Sequence, residues 1–225
     1  MDYSFLSKTV LFRDTSPEEI QTLLGCLSAE SKQFSRGSVI YHAGDIISSI
    51  GLVLSGSVSI ENDDVGGNKS ILDKVGPGQV FAETYACVPG APLMISVVAA
   101  ETVEILFLDM GRVLNICSNA CGFHSKLVRN LLAISSQKNL NLSRRIFHTS
   151  SKSIRGRLLS YLSFQSAQCG SRDFTIPFNR QQLADYLSVD RSAMSNELSK
   201  MQRDGLLKVD RSHFTLLGIE PEDIF

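Results

Sequence analysis

No stretch of this 225-residue chain approaches the ~20 consecutive apolar residues that a membrane span requires, so no membrane partner is expected. The N-terminus lacks a charged segment followed by an apolar one, which argues against export. Cysteine is sparse and irregular: Cys26, Cys87, Cys117, Cys121 and Cys169 are odd in number and scattered. That distribution suits a reducing cytoplasm better than a disulfide framework. Enzymatic signatures are missing as well. There is no Ser-His-Asp order, no phosphate-binding glycine loop and no zinc spacing. A metal-dependent oxygenase on a β-roll would need two histidines and a carboxylate, and the roll-like region contains His42 alone.

Strong charge of either sign is also absent, since the formal net charge is −1. Its distribution says more. Residues 150–219 hold ten Lys/Arg against six Asp/Glu, a balance of +4, whereas residues 1–149 come to −2. A mildly basic C-terminal part suits a small DNA-reading module that works as a dimer. A hydrophobic content of 43% supports one large domain or two ordinary ones.

The most informative stretch is Phe178 to Met201. Leu183, Ala184 and Leu187 share one helical face, and Ala193, Met194, Leu198 and Met201 share another. Between them, Ser188 or Asp190 is available to cap the second helix. Two short amphipathic helices joined by a tight turn make a helix-turn-helix, with small Ala184 where the helices nearly touch. The remaining face of the second helix carries Arg191, Ser192, Ser195, Asn196, Ser199 and Lys200. These groups suit base edges and phosphates. A helical hairpin with a merely solvated polar face would look alike in this stretch. The residues after Met201 separate the two readings. Gly205 is placed to close the second helix, and Leu206–Val209 and His213–Leu216 read as two strands around Asp210-Arg211-Ser212. Helix-turn-helix with a β-hairpin after it is a winged helix.

Upstream, Ser16, Pro17 and Glu19 form a capping box ahead of Ile20, Leu23, Leu24 and Leu27. From Phe34 to Leu108, short β-branched or aromatic runs alternate with glycine turns such as Arg36-Gly37, Gly44-Asp45, Ser55-Gly56, Gly66-Gly67 and Gly76-Pro77-Gly78. This pattern predicts a sandwich or barrel. The interval Gly78–Pro92 reads as a short helix and loop inserted between strands, a candidate pocket wall. Asp109–Ser118 is a short helix. A longer one runs from Gly122 to Phe147, where Phe123, Leu127, Leu131, Ile134, Leu140 or Leu142, and Ile146 form a stripe near period 3.5. Such a seam pairs with a copy of itself or packs within the chain. Residues 148–153 are a polar break and the expected hinge, with a helix over Ile154–Ser166 and a strand over Phe174–Ile176 beyond it.

With these residues in hand, the chain resembles the Crp/Fnr family of bacterial transcription regulators. The resemblance runs from about Leu11 to Leu217. It rests on Gly37, Tyr41 and Gly44-Asp45, on Gly56, on Gly76-Pro77-Gly78-Gln79-Val80-Phe81-Ala82-Glu83, and on Arg180–Met201. It implies an α+β architecture: an N-terminal double-stranded β-helix, or jelly roll, as sensor (residues 1–118), a long dimerisation helix (119–147) and a C-terminal winged helix-turn-helix (148–225). It further implies a cytoplasmic homodimer on double-stranded DNA, with RNA polymerase as partner if the protein activates. Base-contacting positions fall on Arg191, Ser192, Ser195 and Asn196, flanked by Ser199 and Lys200, with Arg180 and Gln181 near the backbone. Asn196 departs from the arginine common in the family. Glu197, where an apolar residue is common, is expected to face outward or pair with a cation.

The pocket segment departs further. Cyclic-nucleotide binders of the family open this cassette with Gly-Glu and close it with Arg followed by Ser or Thr. Here Ala82 replaces the glycine, Glu83 is kept, and Leu93 and Met94 stand in place of the Arg and the hydroxyl residue. Burying a phosphate without that cation is costly, so cyclic AMP is not the expected effector. A small organic effector touching Glu83, Thr84, Tyr85, Met94, Ser96 and Leu127 is expected instead. No cofactor is expected. The N-terminal cysteine cluster of the iron–sulfur members is missing, with Cys26 alone, and His42 and His124 as lone histidines make no haem signature. Cys117 and Cys121, four residues apart, fit a metal or redox pair or two structural thiols. The competing reading is a ligand-sensing module that acts on a protein partner without touching DNA. The winged helix argues against it.

Overall fold

The computed structural model describes residues 1–63, 69–114 and 122–217. Contacts divide the chain into two compact units, Met1–Gln137 and Lys138–Phe225. The turn at Gly66-Gly67 and the cysteines Cys117 and Cys121 lie outside the described residues.

Among the described residues, the first unit is a roll of eight strands: β1 (Glu30–Phe34), β2 (Val39–Tyr41), β3 (Ser49–Ser55), β4 (Val58–Asp63), β5 (Lys69–Val75), β6 (Val80–Phe81), β7 (Ser96–Ala99) and β8 (Val103–Asp109). They form two antiparallel sheets, ordered β1-β8-β3-β6 and β2-β7-β4-β5. This is the expected jelly roll. Side chains alternate across a strand, so neighbouring residues of β3 and β8 enter different cores. Leu52 pairs with Leu106 and faces the helices, in a cluster with Leu6, Leu23, Leu27, Ile50 and Leu108. Val53 pairs with Ile105 and faces the second sheet, beside Val58, Phe81, Val97 and Ala99. Both faces of this sheet are therefore buried, which is why β3 reads as a near-continuous apolar run. The turn after β3 needs Gly56, which sits at φ 73° where a side chain would strike the Thr102 carbonyl.

Four helices of the described residues pack on the Leu52 face of the roll: α1 (Tyr3–Leu6), α2 (Pro17–Leu27), α3 (Glu83–Ala86) and α4 (Met110–Leu114). The capping box of α2 forms as its sequence requires. Ser16 Oγ accepts from the Glu19 amide, Glu19 accepts from the Ser16 amide at 2.9 Å, and Ile20, Leu23, Leu24 and Leu27 are buried. The long helix α5 (Gly122–Thr149) begins in this unit. Leu127 and Leu131 pack into its core, with Phe123 and Ile134 beside them. Asn130 Nδ2 donates to the Leu11 and Arg13 carbonyls at 3.0 and 2.9 Å, and Lys126 pairs with Glu19 at 3.1 Å. The stripe along α5 therefore divides. Its first half is spent inside the chain, while Leu140, Leu142, Ile146 and Phe147 are each more than half exposed.

The second unit contains α6 (Ile154–Cys169), β9 (Asp173–Thr175), α7 (Arg180–Leu187), α8 (Arg191–Arg203), β10 (Leu207–Asp210) and β11 (His213–Leu216). These three strands form one antiparallel sheet in the order β10-β11-β9. Leu158, Leu162, Phe174, Leu183, Met194, Leu198, Met201 and Phe214 make its core. Among the described residues, no helix is long and apolar enough to cross a membrane.

Candidate nucleic-acid interface and effector pocket

The helix-turn-helix is built from local signals. Asn179 caps α7 in a reciprocal box with Gln182, at 2.9 and 2.8 Å. Ser188 ends the helix in the left-handed region at φ 54°. Asp190 starts α8, its carboxylate accepting from the Ala193 amide at 2.8 Å and the Ser192 hydroxyl at 2.5 Å. These bonds favour the ionised form and hold the Asp190 carboxyl below its usual range. Ala184 is fully buried with Leu183 and Leu187 on α7, and Met194, Leu198 and Met201 bury the inner face of α8.

The opposite face of α8 presents Arg191, Ser192, Asn196, Ser199 and Lys200 as exposed side chains, with Ser195 half-buried. The Ser195 and Ser199 hydroxyls donate to the carbonyls one turn earlier, Arg191 and Ser195, at 2.9 and 3.1 Å. Glu197 turns inward. Its carboxylate accepts from Arg155 Nε at 2.6 Å and lies 3.8 Å from Lys200. Arg155 also reaches Asp204 at 2.7 Å, and both bonds raise the guanidinium pKa further.

Arg180, Gln181 and Arg191 line one cleft of about 660 Å³ together with Arg211 from the turn of the wing. Arg180 lies over the Phe214 ring at 5.4 Å, a cation–π contact with the wing's own core, while burial lowers its pKa. Sequence reasoning misses Arg211. The signal that could find it is its place in Asp210-Arg211-Ser212, a cation at a hairpin tip. There it adopts φ 53°.

The effector candidates are more dispersed. Glu83 is buried, Tyr85 is half-buried and Thr84 is exposed, with the Thr84 hydroxyl 3.4 Å from the Glu83 carboxylate. Ala82 adopts φ 65° just before α3. Met94 is 77% exposed, whereas Leu93 is buried. Leu93 is strapped to the neighbouring turn by the bonds Gly44 N to Leu93 O, 2.7 Å, and Leu93 N to Asp45 O, 2.9 Å. The Ser96 hydroxyl accepts from the Ala43 amide at 3.1 Å. Leu127 belongs to the core that contains Ala86 and Val80. His124 is buried. Among the described residues, no three His, Cys, Asp or Glu side chains gather as metal ligands.

Both units have counterparts among known proteins. The cyclic nucleotide-binding domain matches residues 31–120, and the Crp-like helix-turn-helix domain matches residues 156–220. The cyclic AMP receptor protein of Thermus thermophilus is 32% identical over 98 residues, 44% of either chain. A CRP-like cAMP-activated global transcriptional regulator of Mycobacterium tuberculosis is 21% identical over 206 residues, 91% of either chain. The crystal structure of the Thermus thermophilus catabolite activator protein superposes with a TM-score of 0.52 at 21% identity, covering 93% of this chain and 94% of that one. These relatives are regulators and not enzymes. Two matching domains in the family's order, on the jelly roll and helix-turn-helix described above, show that the chain belongs to the Crp/Fnr family of transcription regulators, with a helix-turn-helix DNA-binding domain.

Proposed function

We propose that the protein binds an approximately palindromic promoter site as a homodimer, with one α8 in each of two successive major grooves. The observation that carries this reading is the division of α8. Met194, Leu198 and Met201 anchor one face, while Arg191, Ser192, Asn196, Ser199 and Lys200 stand exposed on the other. A two-fold dimer requires half-sites one helical turn apart, about 34–36 Å. Arg191, Ser192, Ser195 and Asn196 read base edges. Arg180, Gln181, Ser199 and Lys200 hold the phosphate backbone. Asn196 favours adenine, whereas arginine at that position favours guanine. The exposed Leu140, Leu142, Ile146 and Phe147 on α5 support a second copy of this helix as the dimer partner. In functional terms, residues 1–118 sense, 119–147 dimerise and 148–225 bind DNA.

The effector is a small molecule other than cyclic AMP. The named relatives respond to cyclic AMP, but a cyclic phosphate needs a cation at the end of its cassette. Here that position is Leu93, buried at 3% exposure. Without that cation, the cassette favours a neutral or differently charged molecule contacting Glu83, Thr84, Tyr85, Met94, Ser96 and Leu127. RNA polymerase is a partner where the site lies upstream of a promoter, and the protein works in the cytoplasm without a resident cofactor.

Selection of duplexes from a random-sequence pool tests the DNA reading. Recovery of an inverted repeat supports it, and recovery of no consensus overturns it. Isothermal titration with cyclic AMP tests the effector reading, which micromolar or tighter binding would overturn.

A further inference from the structure

The C-terminal end of α7 has an unusual set of partners. A helix leaves its last carbonyls without intrahelical donors and concentrates partial negative charge there. α7 has no basic residue of its own in its last turn. Two of its carbonyls are met locally: Ala184 O accepts from the Val189 amide at 3.0 Å and Asp185 O from the Ser188 amide at 3.2 Å. Arginines from two other helices supply the rest. Arg145, near the end of α5, donates from Nη2 to Asp185 O at 3.1 Å and from Nε to Tyr186 O at 3.2 Å. Arg157, in the first turn of α6, donates from Nη1 to Leu187 O and Ser188 O, both at 3.0 Å. Four consecutive carbonyls, 185–188, are thus held by two guanidinium groups.

The clasp extends to the residues that join α5 to α6. Arg157 Nε donates to Ser151 O at 2.8 Å. The close approach there depends on Gly156, because a Cβ at that position would collide with the Ser151 side chain. On the α5 side, His148 Nδ1 lies 2.9 Å from the Tyr186 hydroxyl, and the Arg145 guanidinium lies over the Tyr186 ring at 5.8 Å.

We propose that Arg145 and Arg157 are positioning residues for DNA reading, acting through the turn between α7 and α8. That turn begins at Ser188, the last carbonyl they hold, and the turn sets the angle at which α8 leaves α7. Neither arginine lies on α8 or in the cleft of Arg180, Arg191 and Arg211. Their loss therefore alters how α8 meets base edges while leaving the phosphate contacts in place. The proposal rests on α8 being the base-reading helix.

The test uses the full chain, Arg145→Met, Arg157→Met and the two Lys variants, with a duplex selected by the wild-type protein and a random-sequence duplex. Each Met variant loses about tenfold or more on the selected duplex, the scale of one mismatched base pair. It loses at most about twofold on the random duplex, with an unchanged salt slope. Lysine, which restores charge without a two-pronged donor, recovers part of the loss. Amide hydrogen exchange at Ser188 and Val189, whose amides bond to the end of α7, accelerates in the Met variants. Equal losses on both duplexes with a shallower salt slope would make the arginines phosphate contacts and overturn the proposal. So would unchanged affinity for the selected duplex. If the Met variants fail to fold, the Lys variants decide: a loss confined to the selected duplex supports the clasp, and no loss overturns it. A wild-type protein that prefers no sequence would instead overturn the base-reading assignment itself.

Discussion

Arg155 and Glu197 face each other between α6 and α8, Nε to Oε1 at 2.6 Å, and the same guanidinium reaches Asp204 at 2.7 Å. One cation in the first turn of α6 therefore grips α8 at its middle and just past its end. Glu197 is 18% exposed at its side chain, so removing Arg155 leaves a mostly buried carboxylate with Lys200, at 3.8 Å, as its remaining ion-pair partner among the described residues. Arg155→Ala is expected to lower the melting temperature more than the paired change Arg155→Met with Glu197→Leu, because an apolar pair leaves no stranded charge. Calorimetric melting of the two variants checks the order.

A second prediction concerns pH. His148 is 1% exposed among the rings of Phe147, Tyr161, Phe164 and Tyr186. Burial, reinforced by the nearby Arg144 cation, lowers its pKa below the usual 6.5. The Arg145 guanidinium lies over the neighbouring Tyr186 ring, and the Tyr161 and Tyr186 phenols are pushed up by burial, so they stay neutral. The folded state binds the His148 proton more weakly than the unfolded chain does. Stability from the neutral ring is therefore fully present above the usual histidine range. It is lost as pH falls through 6.5 toward the lower folded value. Urea titrations at a series of pH values from above to below that range are expected to show this loss in the wild-type protein, and Gln in place of His148 flattens it.

On the proposed reading, the cleft lined by Arg180, Arg191 and Arg211 makes two kinds of contact. Arg191→Ala is expected to weaken binding to the selected site by about 1–3 kcal/mol and to relax preference at one base position. Arg211→Ala, at the wing turn, is expected to weaken all duplexes alike and to reduce the salt slope by about 1. Binding isotherms over a salt series tell the two apart.

Packing makes a fourth prediction. Ala184 is fully buried at the crossing of α7 with α8. Ala184→Leu forces extra methylenes into that crossing and is expected to cost about 1–3 kcal/mol. Ala184→Gly should cost less in packing and more in helix propensity. Chemical denaturation of both variants measures the difference.

Much of this fold is legible in the sequence because the signals are local. Ser16, Pro17 and Glu19 set the start of α2, Ser188 or Asp190 marks the start of α8, which the structure gives to Asp190, and the spacing of Leu183, Ala184, Leu187, Met194 and Leu198 sets the shared core. What escapes is non-local. β1 is Glu-Ser-Lys-Gln-Phe, nearly all exposed, and is a strand only because β8 offers it a hydrogen-bonding edge. β6 has two residues and reads in sequence as part of the inserted loop. The stripe on α5 reads as one seam, but Leu127 and Leu131 turn into the chain's own core because α1, α2 and the roll give them an apolar surface. At the candidate interface, the exposed face of α8 can be read from helical spacing. Arg211, and the pairing of Arg145 and Arg157 with the end of α7, depend on segments brought together by folding.

Fluorescence anisotropy with a labelled selected duplex tests the central claim most directly, comparing the wild-type protein with Ala193→Pro, which removes the amide that Asp190 caps and disfavours the helical conformation of Ser192, unwinding the first turn of α8 without removing a proposed base-contacting side chain. The wild-type protein is expected to bind the selected duplex at least about 10³-fold more tightly than a scrambled one at the same salt. Ala193→Pro is expected to lose that preference while sedimenting as the wild-type does. Equal affinity of the wild-type protein for both duplexes, or full sequence preference retained by Ala193→Pro, would contradict the account.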